Sequence, residues 1–556
     1  MKKSKMLKTA GMAAAAVMFT AACASEPEND GGGNNTAAPD NNTNNEAGNE
    51  PEEENAEEGD GEAGDLVDGN DLIVGVQSDI SSLDPHTTSD VPSGNIQINI
   101  FESLTTIDEE NELQPNLAES WEDVEDDVWE FELRDDVEFH DGSSFNAEVV
   151  QMNIDRIQDE EIASPRAGLF EVIEEVEVVD DYTVRFHTDA PFSALPFHMS
   201  TYASNMISPE VIEADYENIE DGNQPGDYVN ENPVGTGMFT FNNWEPGSEV
   251  VLDRHDDYWN GEVAVDSVTF SVIPEDLTRV GELEDGGAHI IDPVTPSDMD
   301  RVEETDGTNI FQTDAASITY MGFNADKEPF DDPLVRRAVS LAVNKENMLE
   351  GVLEGTGTPA LGPINETQFG YSDNVDTVEQ DIEEAQALLE EAGHGDGFET
   401  TLWTNDSRER MDVAELVQAD LAQIGIDIEI EVVEWGAYLD ATEQGEHDMY
   451  ILGLSLPTMD ADYPMHELFH TDSIPTGNRT FWSNETHDDL VQEARVELDE
   501  ERRVELYEDV VNNLLEESPM SFLYHPDHIM GYRDEISGFW ADASGLYQLH
   551  DVEINE

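Results

Sequence analysis

The residues most able to do chemistry are His466-Glu467-Leu-Phe-His470, which match the H-E-x-x-H pattern. In zinc peptidases that spacing puts two histidines on one helical face, with the glutamate as general base. Pro464 precedes the motif and Thr471-Asp-Ser-Ile-Pro475 follows it, so little helix is available to present both imidazoles. A zinc metallopeptidase is therefore a distant alternative. Paired carboxylates suit glycoside hydrolysis, but with 130 Asp and Glu in 556 residues such pairs are everywhere and point to nothing. His525 and His528 are close in sequence, yet packed or solvated roles suit them better than nickel. The scarce basic residues say more. Arg408 and Arg410 follow an extended run ending at Trp403, and arginine clamps a carboxylate with two parallel hydrogen bonds. Trp435 ends a second run, Asp460 and Asp462 follow a third, and Asn324 ends a fourth. Together these suggest a ligand pocket with a cation, acids and aromatic walls. No catalytic residue, metal site or cofactor is expected.

Composition narrows the class. With 22 Lys and Arg the net charge is −108, which excludes a phosphate-binding basic stripe and hence nucleic acid. It also disfavours polybasic adhesion to anionic lipid. The 8 Trp, 14 Tyr and 21 Phe exclude a wholly disordered acidic chain. The single cysteine allows neither an internal disulfide nor a cysteine-based zinc site. It has a context: four lysines, an apolar stretch over residues 9–19, then Thr20-Ala-Ala-Cys23. This reads as a signal peptide over residues 1–22, with Cys23 the lipidated first residue of the mature chain. Residues 24–70 hold 15 acids and no Lys, Arg or aromatic residue, the composition of an extended tether. The remaining body carries 115 acids against 18 bases, a charge of −97. Acids spread so evenly suit a halophile-type surface kept soluble in brine.

The elements that must position the pocket follow from periodicity. Alternating runs predict strands at residues 129–133, continuing over 135–139, and at 182–186, 237–242, 249–253, 268–273 and 318–323. Asp331-Asp332-Pro333 is a helix start, with a capping aspartate and proline at the first helical position. Helices over 380–392, 410–424 and 435–444 then alternate with strands at 399–403, 427–433 and 449–454. That β-α-β-α-β order implies parallel strands joined by right-handed crossovers. A helix over 500–515 and a strand at 520–524 close the pattern, before an irregular end. If the strand-rich beginning is completed by this last segment, the chain crosses twice between two lobes, near residues 318–324 and 519–525. A ligand then sits at the carboxyl ends of the second lobe's strands.

Longer motifs carry a resemblance. Leu113-Gln-Pro-Asn-Leu-Ala-Glu-Ser-Trp121, followed by Trp129-Glu-Phe-Glu-Leu-Arg-Asp-Asp-Val-Glu-Phe-His-Asp-Gly142, looks like a signature of the bacterial extracellular solute-binding proteins of the peptide/nickel class, family 5, which serve ABC importers. Asn232-Pro-Val-Gly-Thr-Gly237 with Asp257-Tyr-Trp259, and Gly322-Phe-Asn324 with Pro329-Phe-Asp-Asp-Pro-Leu-Val-Arg336, resemble two further blocks. The resemblance runs from about Leu72 to Trp540. It implies an α/β, two-lobed periplasmic-binding-protein-like fold of type II, with an extra subdomain in lobe I. Lobe I would take residues 71–104, 231–320 and 520–556, the extra subdomain 105–230, and lobe II 321–519. It also implies no catalysis and an extracytoplasmic, lipid-anchored monomer that passes a short peptide or glutathione-like solute to an ABC permease. Nickel or another non-peptide solute is the alternative. Gly453-Leu-Ser-Leu-Pro-Thr-Met-Asp-Ala-Asp-Tyr463 with Leu468-Phe-His-Thr471 looks most like glutathione-assigned members. Peptide-binding members usually pair an aspartate with the ligand amine. Alignment on Leu468-Phe469 puts that position at Pro457, and alignment on Ala-Asp-Tyr puts it at Asp462.

Overall fold

The computed structural model describes residues 70–555. The expected signal peptide, Cys23 and the tether lie outside the described residues.

Two large sheets organise the chain. The first has seven strands, in the order Thr308–Asp314, Asp527–Arg533, Ile290–Asp292, Asp71–Val76, Ser267–Val272, Glu249–Arg254 and Phe239–Glu245. Its central strand, Asp71–Val76, runs parallel to both neighbours. The last two strands form the hairpin expected around Glu245-Pro-Gly-Ser248. The second sheet has six strands: Thr358–Pro359, Met520–His525, Ser317–Phe323, Met449–Ser455, Phe398–Thr404 and Ile426–Val432. Phe398–Thr404 is parallel to both Ile426–Val432 and Met449–Ser455, as the alternating pattern requires. Asp332 caps the helix Pro333–Ala342 by accepting from the Leu334 amide at 2.9 Å. That helix and Arg408–Leu421 bury Val335, Val339, Val413 and Val417 against one face of this sheet.

A four-stranded antiparallel sheet, from Ala118–Glu125 to Thr183–Thr188, forms the extra subdomain with the helix Ala147–Gln158 and its own core. The strand expected over 135–139 is a loop. Val137 and Phe139 are buried, but the backbone pairs only through a single bridge between Glu138 and Ser144. Arg156 ties the subdomain to lobe I. Fully buried, it reaches Asp84 at 2.7 Å and Asp215 at 2.7 Å.

The lobe boundaries differ from expectation by a few residues. Ser317–Phe323 and Met520–His525 both pair within the second sheet, so the crossings fall at Ala315-Ala316 and at Pro526. The two crossings lie side by side, with the Ala315 amide donating to the Pro526 carbonyl at 3.1 Å. A third segment braces them, since the Ala316 amide donates to Ala543 O at 2.6 Å. The supposedly irregular end is thus part of the hinge.

Candidate functional site

The lobes touch on one side of the hinge. Ser193 of the subdomain donates its amide and hydroxyl to Arg495 O at 3.2 and 3.1 Å. The Arg495 guanidinium lies 5.0 Å above the Phe192 ring, and Phe197 packs on Phe369. Beside this contact is a cavity of about 330 Å³. It is walled by the first lobe (Glu102, Asn205), the hinge segment (Asp542, Leu546) and the second lobe (Pro457, Met459). Such a volume between lobes suits a small solute.

The cavity is acidic. Glu102, Asp108, Asp542 and Asp551 line it, with no lysine or arginine among its walls. Glu102 is buried, which raises its carboxyl above the usual range. Trp259 Nε1, Thr236 Oγ1 and Tyr258 OH donate to it at 2.8, 2.7 and 2.8 Å and oppose that rise. Asp542 is also buried, and burial pushes its carboxyl up to about 6. Its Oδ1 accepts from the Ser544 and Leu546 amides at 2.8 and 3.1 Å, an Asx turn, while Oδ2 has only Gln548 Nε2 at 3.4 Å.

The expected site residues divide. Arg410 leaves the first turn of the helix Arg408–Leu421, where Ser407 is the capping residue. Its guanidinium lies 5.5 Å over the Trp435 ring and donates to Asn405 Oδ1 at 3.2 Å. A Cβ added at Gly453 would sit 3.4 Å from Arg410 Nη2. Arg410 therefore spans the carboxyl ends of the second lobe's parallel strands, together with Trp435. Trp403 is half-buried against the second-lobe core. Arg408 is not brought in: its side chain is 92% exposed and pairs loosely with Asp412.

The two aspartates are spent elsewhere. Asp460 is fully buried and takes two parallel 2.7 Å hydrogen bonds from Arg503. Asp462, also buried, faces Arg495 Nε at 3.3 Å without a linear hydrogen bond and does not line the cavity. It braces the arginine that joins the lobes. Asn324 staples a loop, donating to Gly445 O and His447 O at 3.0 and 3.1 Å. The zinc-like motif also comes apart. The helix Asp462–Phe469 ends before His470, which is extended and accepts from the Asp472 amide. The His466 and His470 rings stack at 4.6 Å and 13°, so their in-plane lone pairs run side by side instead of converging. Burial, helped by the nearby Arg495 charge, lowers the His466 imidazole to about 3.

Residues 112–475 match the model of the bacterial extracellular solute-binding proteins, family 5. The chain belongs to that family. It is 30% identical over 469 residues to a dipeptide-binding protein of Escherichia coli, covering 80% of this chain and 86% of the relative. It is 29% identical to a glutathione-binding protein of Pectobacterium atrosepticum, covering 87% and 94%. Among solved structures, an ABC transporter-associated periplasmic binding protein of Helicobacter pylori, in complex with the peptide STSA, superposes with a TM-score of 0.74 at 28% identity. That match covers 87% of this chain and 98% of the other. These matches bear out the two-lobed α/β solute-binding fold. Of the two aligned positions, Pro457 lines the interlobe cavity and Asp462 does not.

Asp542 and Asn205, which line the cavity, are not among the residues expected from the sequence. Asp542 carries a local signal, the Asp-Ala-Ser-Gly turn at residues 542–545, but it lies in a segment without strand or helix periodicity. Asn205 carries none.

Proposed function

We propose that this family 5 protein is the extracytoplasmic receptor of an ABC importer that captures a short peptide between its lobes and hands it to the permease. The observation that carries the reading is the interlobe cavity, walled from both lobes and from the hinge, in a chain whose relatives include dipeptide-binding and peptide-complexed proteins. Closure is the mechanism: a ligand that contacts both lobes favours the closed state by its differential affinity. Arg410 does not line that cavity; it is the cation we assign to the ligand's carboxylate because it lies across the strand ends, where among the described residues it donates to Asn405 and lies over the Trp435 ring. Removing a direct charge partner in a partly dry cleft costs about 2–5 kcal/mol. Calorimetric titration with a di- and tripeptide mixture is expected to show binding to the parent, and at least about 30-fold weaker binding by Arg410→Ala. Equal affinity would remove Arg410 from the site, and no binding of any peptide would sink the reading.

The receptor is anchored through acyl chains on Cys23, the only cysteine, which follows the apolar stretch of the leader. Among the described residues no helix is long and apolar enough to cross a membrane. Cys23→Ala is expected to move the protein from the membrane fraction into the soluble one. Unchanged partitioning would remove the lipid anchor.

A further inference from the structure

The interlobe cavity holds two groups with capacity left over. Asn205 is 2% exposed and lines the cavity, yet its Nδ2 has no hydrogen-bond partner among the described residues. A buried donor left bare costs free energy, so it points to an acceptor that arrives with the solute. Asp542 lines the same cavity at 5% exposure. Its Oδ1 is used by two backbone amides, whereas Oδ2 has one long contact. An ionised carboxylate oxygen accepts two or more hydrogen bonds, so Oδ2 is open to a donor. Asp542 also sits on the hinge, because its neighbour Ala543 accepts from Ala316, and Ala316 in turn accepts from the Leu456 amide. That places it beside Pro457 and Met459, where the lobes meet. No basic side chain of the cavity walls competes for it. The acids that look like ligand anchors in the sequence, Asp460 and Asp462, face Arg503 and Arg495 instead.

We propose that Asp542 pairs with a cationic group of the bound solute while Asn205 donates to a neighbouring carbonyl, so that the cleft takes cationic peptides in preference to anionic ones such as glutathione. This rests on the peptide reading above and adds the charge class of the ligand. The general acidity of the molecule would also attract cations, but that field is screened within about 3 Å in 1 M salt, whereas a contact pair in the cleft survives.

The test is calorimetric titration in 1 M NaCl of the parent and Asp542→Asn with Ala-Lys-Ala, Ala-Ala-Ala, Ala-Glu-Ala and glutathione. Asparagine keeps the carbonyl that the Ser544 and Leu546 amides use, and the melting temperature checks that the hinge survives. The parent is expected to bind Ala-Lys-Ala at least about 10-fold more tightly than Ala-Glu-Ala or glutathione. Asp542→Asn is expected to weaken Ala-Lys-Ala by about 10-fold or more and to narrow that ratio. Equal or tighter binding of the anionic probes by the parent overturns the proposal, whatever the variant does. An unchanged ratio in a folded variant removes Asp542 from it. Binding of none of the four overturns this inference and the peptide reading together.

Discussion

The pair Asp460–Arg503 shows what a residue's type can and cannot announce. The loop after the third parallel strand does carry acids, as its sequence says. Nothing local says that a guanidinium 43 residues away, on the helix Glu500–Glu517, occupies one of them completely. Partner choice at that range is decided by packing: the Arg503 guanidinium also lies over the Phe369 and Tyr507 rings and reaches Tyr507 OH at 3.0 Å. Truncating one member of such a pair leaves the other buried and uncompensated, which costs about 3–5 kcal/mol. Asp460→Ala is therefore expected to lower stability by that amount in urea unfolding, whether or not a ligand is present. Arg408→Ala, at an exposed side chain, is expected to leave the midpoint where it was. A stable Asp460→Ala variant with impaired ligand binding would return that aspartate to the site.

Elements were more legible than sites, because their signals are local. The capping aspartate and proline at Asp332-Pro333, and the alternation at residues 427–433, each report a backbone state within a few residues. The same alternation misleads at residues 135–139. There the buried side chains alternate but no neighbouring strand is available, and burial alone does not make a ladder. Glycines inside motifs are legible for a different reason. Gly235, in Asn232-Pro-Val-Gly-Thr-Gly237, passes so close to the end of the helix Val91–Ile100 that a Cβ would sit 2.1 Å from Ile100 O and 2.7 Å from Phe101 Cα. Both are backbone atoms that cannot swing away. Gly235→Ala is expected to destabilise by at least about 1–3 kcal/mol, the usual cost of overpacking. Gly281, inside the helix Asp276–Asp285, is different, because a Cβ added there would meet nothing within 4 Å. Gly281→Ala should stabilise by about 0.4–1 kcal/mol. Parallel melts of the two variants check both signs, and a tolerated alanine at 235 would contradict the close approach.

Over the whole molecule, the scarce bases are drawn inward. Arg156, Arg279, Arg336 and Arg503 are each no more than 3% exposed, which leaves few bases among the surface acids of a body that carries −97. Self-repulsion on that surface is relieved by screening, so the melting temperature is expected to climb from dilute buffer to molar salt. Molar salt then makes a second charge effect readable. Burial, the largest cause in each case, lowers His86, His447 and His466 to about 3, and His140, His487 and His525 to about 4. A group whose folded value lies below its unfolded value of about 6.5 contributes stability above 6.5 and loses it as pH falls toward the folded value. Seven carboxyls, among them Glu102, Asp292 and Asp542, are raised by burial and act in the opposite direction, against nine lowered imidazoles once His198, His289 and His528 are counted, and ordinary carboxylates stay ionised until about pH 4. Each of the six histidines forfeits up to about 1 kcal/mol per pH unit below 6.5. In 1 M salt the melting temperature is therefore expected to fall steadily from pH 7 to pH 5. A flat or rising profile over that window would mean that these imidazoles take up protons in the folded state.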